Sequence, residues 1–172
     1  GPQDEPLAAF REWHSHAAGV ASVDFSFHQA VVRFDDLAQR QLRTIVRDHG
    51  VASLKVFLAY KGALDLSDTD LFGCLSLARD LRAIVTAHCE NASAIDAMQQ
   101  RLLAEGKTGP EWHEPSRPVS IEAAGVAHLC AFAELTGAHT YIVHTSCGEA
   151  VGEALAARAR GVNVWVGAGG PH

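Results

Sequence analysis

The chain has 172 residues, with 14 Lys+Arg against 20 Asp+Glu, a formal net charge of −6. At 48 % hydrophobic and 20 % charged residues it is too apolar for a disordered segment, and its length suits one domain that buries roughly 70 % of its unfolded-chain surface. The acidic balance speaks against a nucleic-acid surface, and no apolar run approaches the roughly 20 residues of a membrane-spanning helix.

Cys74, Cys89, Cys130 and Cys147 form no C-x-x-C pair. They fit a reducing, cytoplasmic setting, with each thiol acting as a small buried hydrophobe rather than as part of a disulfide framework. The start Gly1-Pro2 carries no Met and no signal pattern, and reads as a processing scar or an internal cut.

Hydrophobic periodicity switches repeatedly along the chain. Leu7, Phe10, Trp13 and Ala17 predict a helix closed by Gly19, after which Val23, Phe25 and Phe27 alternate with polar residues as a strand would. A helix is expected from Asp35/Asp36 to His49-Gly50. The nearly continuous apolar run 53–60 predicts a strand buried on both faces. Ser67, followed by Asp70, predicts an N-cap with an acidic first turn for a helix carrying Leu71, Leu75, Ala78 and Leu81.

Residues 83–88 read as a further strand, and Ile95, Met98 and Leu102 mark a helix ending at Gly106. The segment 107–118, with three prolines, is the one long loop expected. A helix from Ser120 to Gly137 follows, then a strand over 140–144, a helix over about 149–160 and a strand over 162–166. Five strands alternating with helices, without a hairpin signal, imply a parallel sheet with right-handed crossovers. An open doubly wound sheet and part of a (β/α)8 barrel both satisfy this. Strand count alone favours the open sheet, since a closed barrel needs eight strands.

Three residues stand out chemically. Lys55 lies inside the most apolar strand, where burial favours the neutral amine; its stem could instead snorkel, or the amine could pair with a carboxylate. His88 and His144 close the next two strands. Strand C-terminal ends form the functional rim of parallel α/β folds, so the three would share one region. A neutral lysine amine can take up carbon dioxide as a carbamate, and a carbamate with two imidazoles would make a three-ligand metal site.

The segments 53–61 (SLKVFLAYK), 87–91 (AHCEN), 112–118 (WHEPSRP) and 143–147 (VHTSC), together with Trp13 and the stretch 24–28, resemble the D-hydantoinase/dihydropyrimidinase family of cyclic amidohydrolases nearly end to end. The resemblance implies a metal-dependent TIM-type barrel that hydrolyses a hydantoin or dihydropyrimidine ring; the strand edges and apolar faces that a partial barrel would leave uncovered predict self-association, a homo-oligomer. On that resemblance two zinc ions are bridged by carboxylated Lys55, His88 and His144 bind the second, and Tyr60 holds the substrate and stabilises the oxyanion. The family's H-x-H pair and proton-moving aspartate have no counterpart here. The chain is therefore expected to be a single domain, 1–172, forming a partial barrel without the first and last strands, with at most one zinc and little turnover of its own.

His14-x-His16 lies in a helical pattern, where i and i+2 diverge, and is rejected as the missing pair. The glycine-rich end, residues 166–170, has no helix after it and is a weak dinucleotide-loop signal. His28, His49, His113, His128 and His139 default to structural or solvated roles, and Arg117 to contact with a neighbouring loop or subunit. Two other readings remain. One is a non-catalytic, dihydropyrimidinase-related scaffold, against which retention of Lys55, His88 and His144 counts. The other is an open-sheet module that binds a small ligand.

Overall fold

The computed structural model describes residues 5–168; the expectations placed on Gly1-Pro2 and on Gly169-Gly170 lie outside them. The elements run α1 (Pro6–Ala18), β1 (Gln29–Ala30), α2 (Asp36–His49), β2 (Ser53–Phe57), α3 (Asp68–Leu81), β3 (Ile84–His88) and α4 (Ala92–Ala104). Then come α5 (Val119–Thr136), β4 (His139–Thr145), α6 (Gly148–Ala159) and β5 (Val164–Ala168).

Local chemistry explains most helix ends. Asp35, Ser67 and Asn91 accept hydrogen bonds from Ala38, Asp70 and Ala94 N–H groups at the N-termini of α2, α3 and α4, satisfying donors that have no partner within the helix. Gly137 closes α5 at φ 72°, a left-handed conformation that glycine adopts without a Cβ penalty. Asn91→Ala is expected to cost about 1 kcal/mol of stability, read as a lower urea midpoint with an unchanged slope.

The five strands are all parallel and lie in the order β1-β2-β3-β4-β5. A doubly wound sheet reverses direction at a switch point, whereas a barrel adds each new strand on the same side. The unbroken order is that of a barrel arc. One strand face, with Leu54, Val56, Val85, Ala87, Ile142 and Val164, shares a core cluster with residues of α3, α5 and α6 such as Leu75, Leu129 and Ala154. The other face presents Lys55, Phe57, His88 and Tyr141 half-buried and His139 and Trp165 exposed. Helices cover one side of the sheet, and the concave side carries the polar and aromatic residues.

Several boundaries differ from the sequence reading. The stretch 23–27 is not a strand: Val23 is 78 % exposed, and Phe25 and Phe27 pack on His14 and Phe10 of α1 with ring centroids 5.6 and 5.8 Å apart. Only Gln29 and Ala30 pair with β2, opposite Leu54 and Lys55. β2 stops at Phe57, and its Lys55 face is covered only in part, with Ser53 buried but Lys55 and Phe57 half-buried. β5 begins two residues late because the Val162 N–H bonds back to the Ala157 carbonyl and finishes α6. The 107–118 loop contains two short 3-10 turns, Pro110–Trp112 and Glu114–Ser116.

α5 is the one helix among the described residues long and apolar enough to cross a membrane by length and composition. Here it is a core helix, packed against α6 and α3 with Ile121, Val126, Leu129 and Cys130 buried.

Candidate functional site

β3 ends on His88 and β4 carries His144 as its next-to-last residue, so neighbouring parallel strands deliver both imidazoles to the same end of the sheet. The β4–β5 register shifts between Ile142 and Thr145, and His144 itself sits at φ 42°. That left-handed backbone is costly for a residue with a Cβ and needs support from its surroundings. The support comes from α5: Ser146 donates its backbone N–H (2.8 Å) and its hydroxyl to the Glu122 carboxylate. The His88 Nδ1 and His144 Nε2 atoms lie 2.9 Å apart, with ring centroids at 4.6 Å.

The other nitrogen of His88, Nε2, lies 2.6 Å from Glu90 Oε2, and Arg117 donates to that same oxygen at 2.9 Å. Burial alone would raise the Glu90 carboxyl, but the hydrogen bond from His88 and the Arg117 guanidinium outweigh it and hold its pKa below the usual value. Arg117 also stands 6.0 Å from the Tyr60 ring. The Tyr60 ring centroid is 5.3 Å from that of His88. Tyr60 adopts φ 64° and begins a turn in which its carbonyl accepts from Ala63 and Leu64. That turn brings it back over the strand ends. Tyr60, His88, Glu90, Arg117, Glu122 and His144 line a cavity of about 510 Å³.

Lys55 faces the same side as His88, one pleat lower: it pairs with Thr86, while Phe57 pairs with His88. Its amine is half-buried rather than enclosed, lies 5.1 Å from the Phe57 ring centroid and does not line the cavity. Burial lowers its pKa, with a small opposing effect from Cys89, so the neutral, carbon-dioxide-reactive form is favoured relative to a lysine in water. The structure thus joins His88, His144 and Tyr60 directly and sets Lys55 beneath them.

Whether this set suits a metal can be tested on distances. Two imidazole nitrogens at zinc bond lengths in a tetrahedral site lie about 3.3 Å apart, so the 2.9 Å pair need open only slightly. Neutral imidazoles with an outer carboxylate on one ring are a donor set that zinc favours. Among the described residues no group of three His, Cys, Asp or Glu side chains is placed to hold a metal ion.

The remaining histidines have ordinary partners. His14 packs on Phe10 and Phe25, and His16 on Trp13. His28 bonds Ser53, His128 pairs with Asp68, His49 lies against Phe10 and His139 stacks on Trp165. His113, by contrast, lines the cavity. The four cysteines are free thiols, with Cys74 pushed up to about 12 by burial. Sequence reasoning missed Glu90 and Glu122. Glu90 carried a usable signal, since it stands two residues after His88 at a strand end, where alternation keeps i and i+2 on one side.

Along nearly its whole length the chain is similar to known proteins. The D-hydantoinase of Geobacillus stearothermophilus is 36 % identical over 162 residues, which is 94 % of this chain and 34 % of that protein. The dihydropyrimidinase of Arabidopsis thaliana is 32 % identical over 163 residues, 95 % of this chain and 31 % of the relative. The solved structure of a D-hydantoinase (dihydropyrimidinase) from Thermus sp. superimposes with a TM-score of 0.93 at 48 % identity, over 96 % of this chain and 36 % of that one. No family model matches the chain. The chain spans about a third of the length of the relatives it matches. With its five-stranded α/β barrel arc, it belongs to the D-hydantoinase/dihydropyrimidinase family.

Proposed function

We propose that these residues serve the metal-dependent hydrolysis of a ring C–N bond in a cyclic amide, a hydantoin or a dihydropyrimidine. The observation that carries this reading is the approach of His88 Nδ1 to within 2.9 Å of His144 Nε2 at the C-terminal rim of a parallel sheet, beneath Tyr60 and above Lys55. Zinc would be held by His88, His144 and Lys55 as its carbamate. Bound there, zinc would supply Lewis-acid polarisation of the ring carbonyl and lower the pKa of water.

The chain's own groups have separate tasks. The Lys55 amine, taken partly out of water, adds to carbon dioxide; a C–N bond forms, a proton leaves, and the lysine becomes an anion able to ligate through oxygen. The hydroxyl of Tyr60, whose ring centroid lies 5.3 Å from that of His88, donates a hydrogen bond to the carbonyl oxygen as charge collects on it, a contribution that grows in the transition state. Arg117 and Glu122 line the cavity.

The test is metal and carbamate content after incubation with zinc and 13C-bicarbonate and removal of free ions, followed by assays on hydantoin and dihydrouracil. At most one zinc per chain, a carbamate carbon signal and slow turnover are expected. Failure to retain zinc in the presence of bicarbonate would overturn the reading.

A further inference from the structure

We infer that Glu90, clamped by Arg117, is a positioning residue that selects the tautomer of His88 and so aims its Nδ1 lone pair at the point shared with His144. The inference rests on the reading of His88 as a ligand for its consequence, but not for its geometry. An ionised carboxylate can only accept hydrogen bonds. Glu90 Oε2, 2.6 Å from His88 Nε2, therefore requires the proton of the neutral ring on Nε2. Nδ1 is then the nitrogen left with a lone pair, and it is the one that faces His144.

Glu90 does not reach this place by chance of rotamer. The side chains of His88, Glu90 and Arg117 are only 13 %, 14 % and 17 % exposed, so the chain of contacts is largely shielded from water and from salt. Arg117 comes from the 107–118 loop, 27 residues downstream, and donates to the same carboxylate oxygen as His88. The backbone that carries Glu90 is seated on α5. A Cβ placed at Gly125 would lie 2.6 Å from the Glu90 nitrogen, and the next residue, Asn91, donates its N–H to the Ile121 carbonyl at 3.2 Å. A side chain held at its oxygen by a guanidinium and at its backbone by a helix has little freedom left. Partners of this kind, when removed from metal-binding histidines, typically cost about 10- to 100-fold in metal affinity.

The arrangement gives a sharp comparison between two substitutions. Both contacts fall on one oxygen, so Glu90→Gln can place its single carbonyl oxygen where Oε2 stands and still accept from His88 and Arg117. Glu90→Ala can accept from neither. The experiment is 15N spectroscopy of the histidine rings in the metal-free protein, paired with zinc affinity by chelator competition in bicarbonate buffer. The wild-type chain and Glu90→Gln should show His88 protonated on Nε2. Glu90→Ala should lose that signature and bind zinc roughly 10- to 100-fold more weakly, with Arg117→Ala in the same direction and Arg117→Lys closer to wild type. A His88 tautomer unchanged in Glu90→Ala would overturn the inference. A wild-type chain that binds no zinc would overturn the proposed function instead, while the ring spectra still decide the role of Glu90.

Discussion

Zinc retention is expected to fall by more than roughly 100-fold when His88 or His144 is replaced by alanine, since the loss of an outer partner alone costs about 10- to 100-fold. Both rings sit at strand ends on the concave side, away from the helix-facing core cluster, so the fold should survive either change and circular dichroism should be unaltered. Lys55→Met tests the third donor differently. In the wild-type chain, removing bicarbonate should weaken zinc retention, because the lysine reverts to a free amine. In Lys55→Met the affinity should already be low and indifferent to bicarbonate. Equal bicarbonate dependence in both proteins would exclude Lys55 as the carbamate site, and tight zinc binding by His88→Ala would exclude the imidazole pair.

The second large effect concerns Gly125. In an exposed helix interior, glycine to alanine gains about 1 kcal/mol. At Gly125 the new Cβ would lie 2.6–2.7 Å from the Glu90 nitrogen and Cα and the Cys89 carbonyl carbon. These are backbone atoms that no rotamer change can move aside. Forced overpacking costs up to about 3 kcal/mol, so Gly125→Ala should destabilise the protein by about 2 kcal/mol net. Gly152, on the exposed side of α6, has nothing within 4 Å of its added Cβ, and Gly152→Ala should raise stability by up to about 1 kcal/mol. Urea titrations of the two variants should thus move in opposite directions. A neutral Gly125→Ala would mean that the 88–91 turn can lift off α5 freely.

These contrasts also explain what could be read from residues alone. The caps at Asp35 and Ser67 are local, each using a side chain and an N–H three residues apart, and local chemistry is visible in a sequence. Lys55, His88 and His144 were legible because strand alternation and strand ends follow from periodicity, and the family's segments surround them in order. The alternation of Val23, Phe25 and Phe27 looks like a strand from inside the segment. What it lacks is a partner backbone, and nothing within the segment reports that. The start of β5 was misplaced for a related reason, since the Val162 N–H is claimed by the end of α6. Glu90 with Arg117 and Glu122 with Ser146 are bridges across 27 and 24 residues. Their pairing is a property of the packed helices and loops, beyond the reach of spacing rules.

The first two turns of α5 touch both imidazole-bearing turns, through Ile121 and Gly125 on one side and Glu122 on the other. The two rings therefore stand on a common footing. A rigid displacement of that helix would move both turns together, whereas a change in how α5 grips one turn alone would alter the gap between the facing nitrogens.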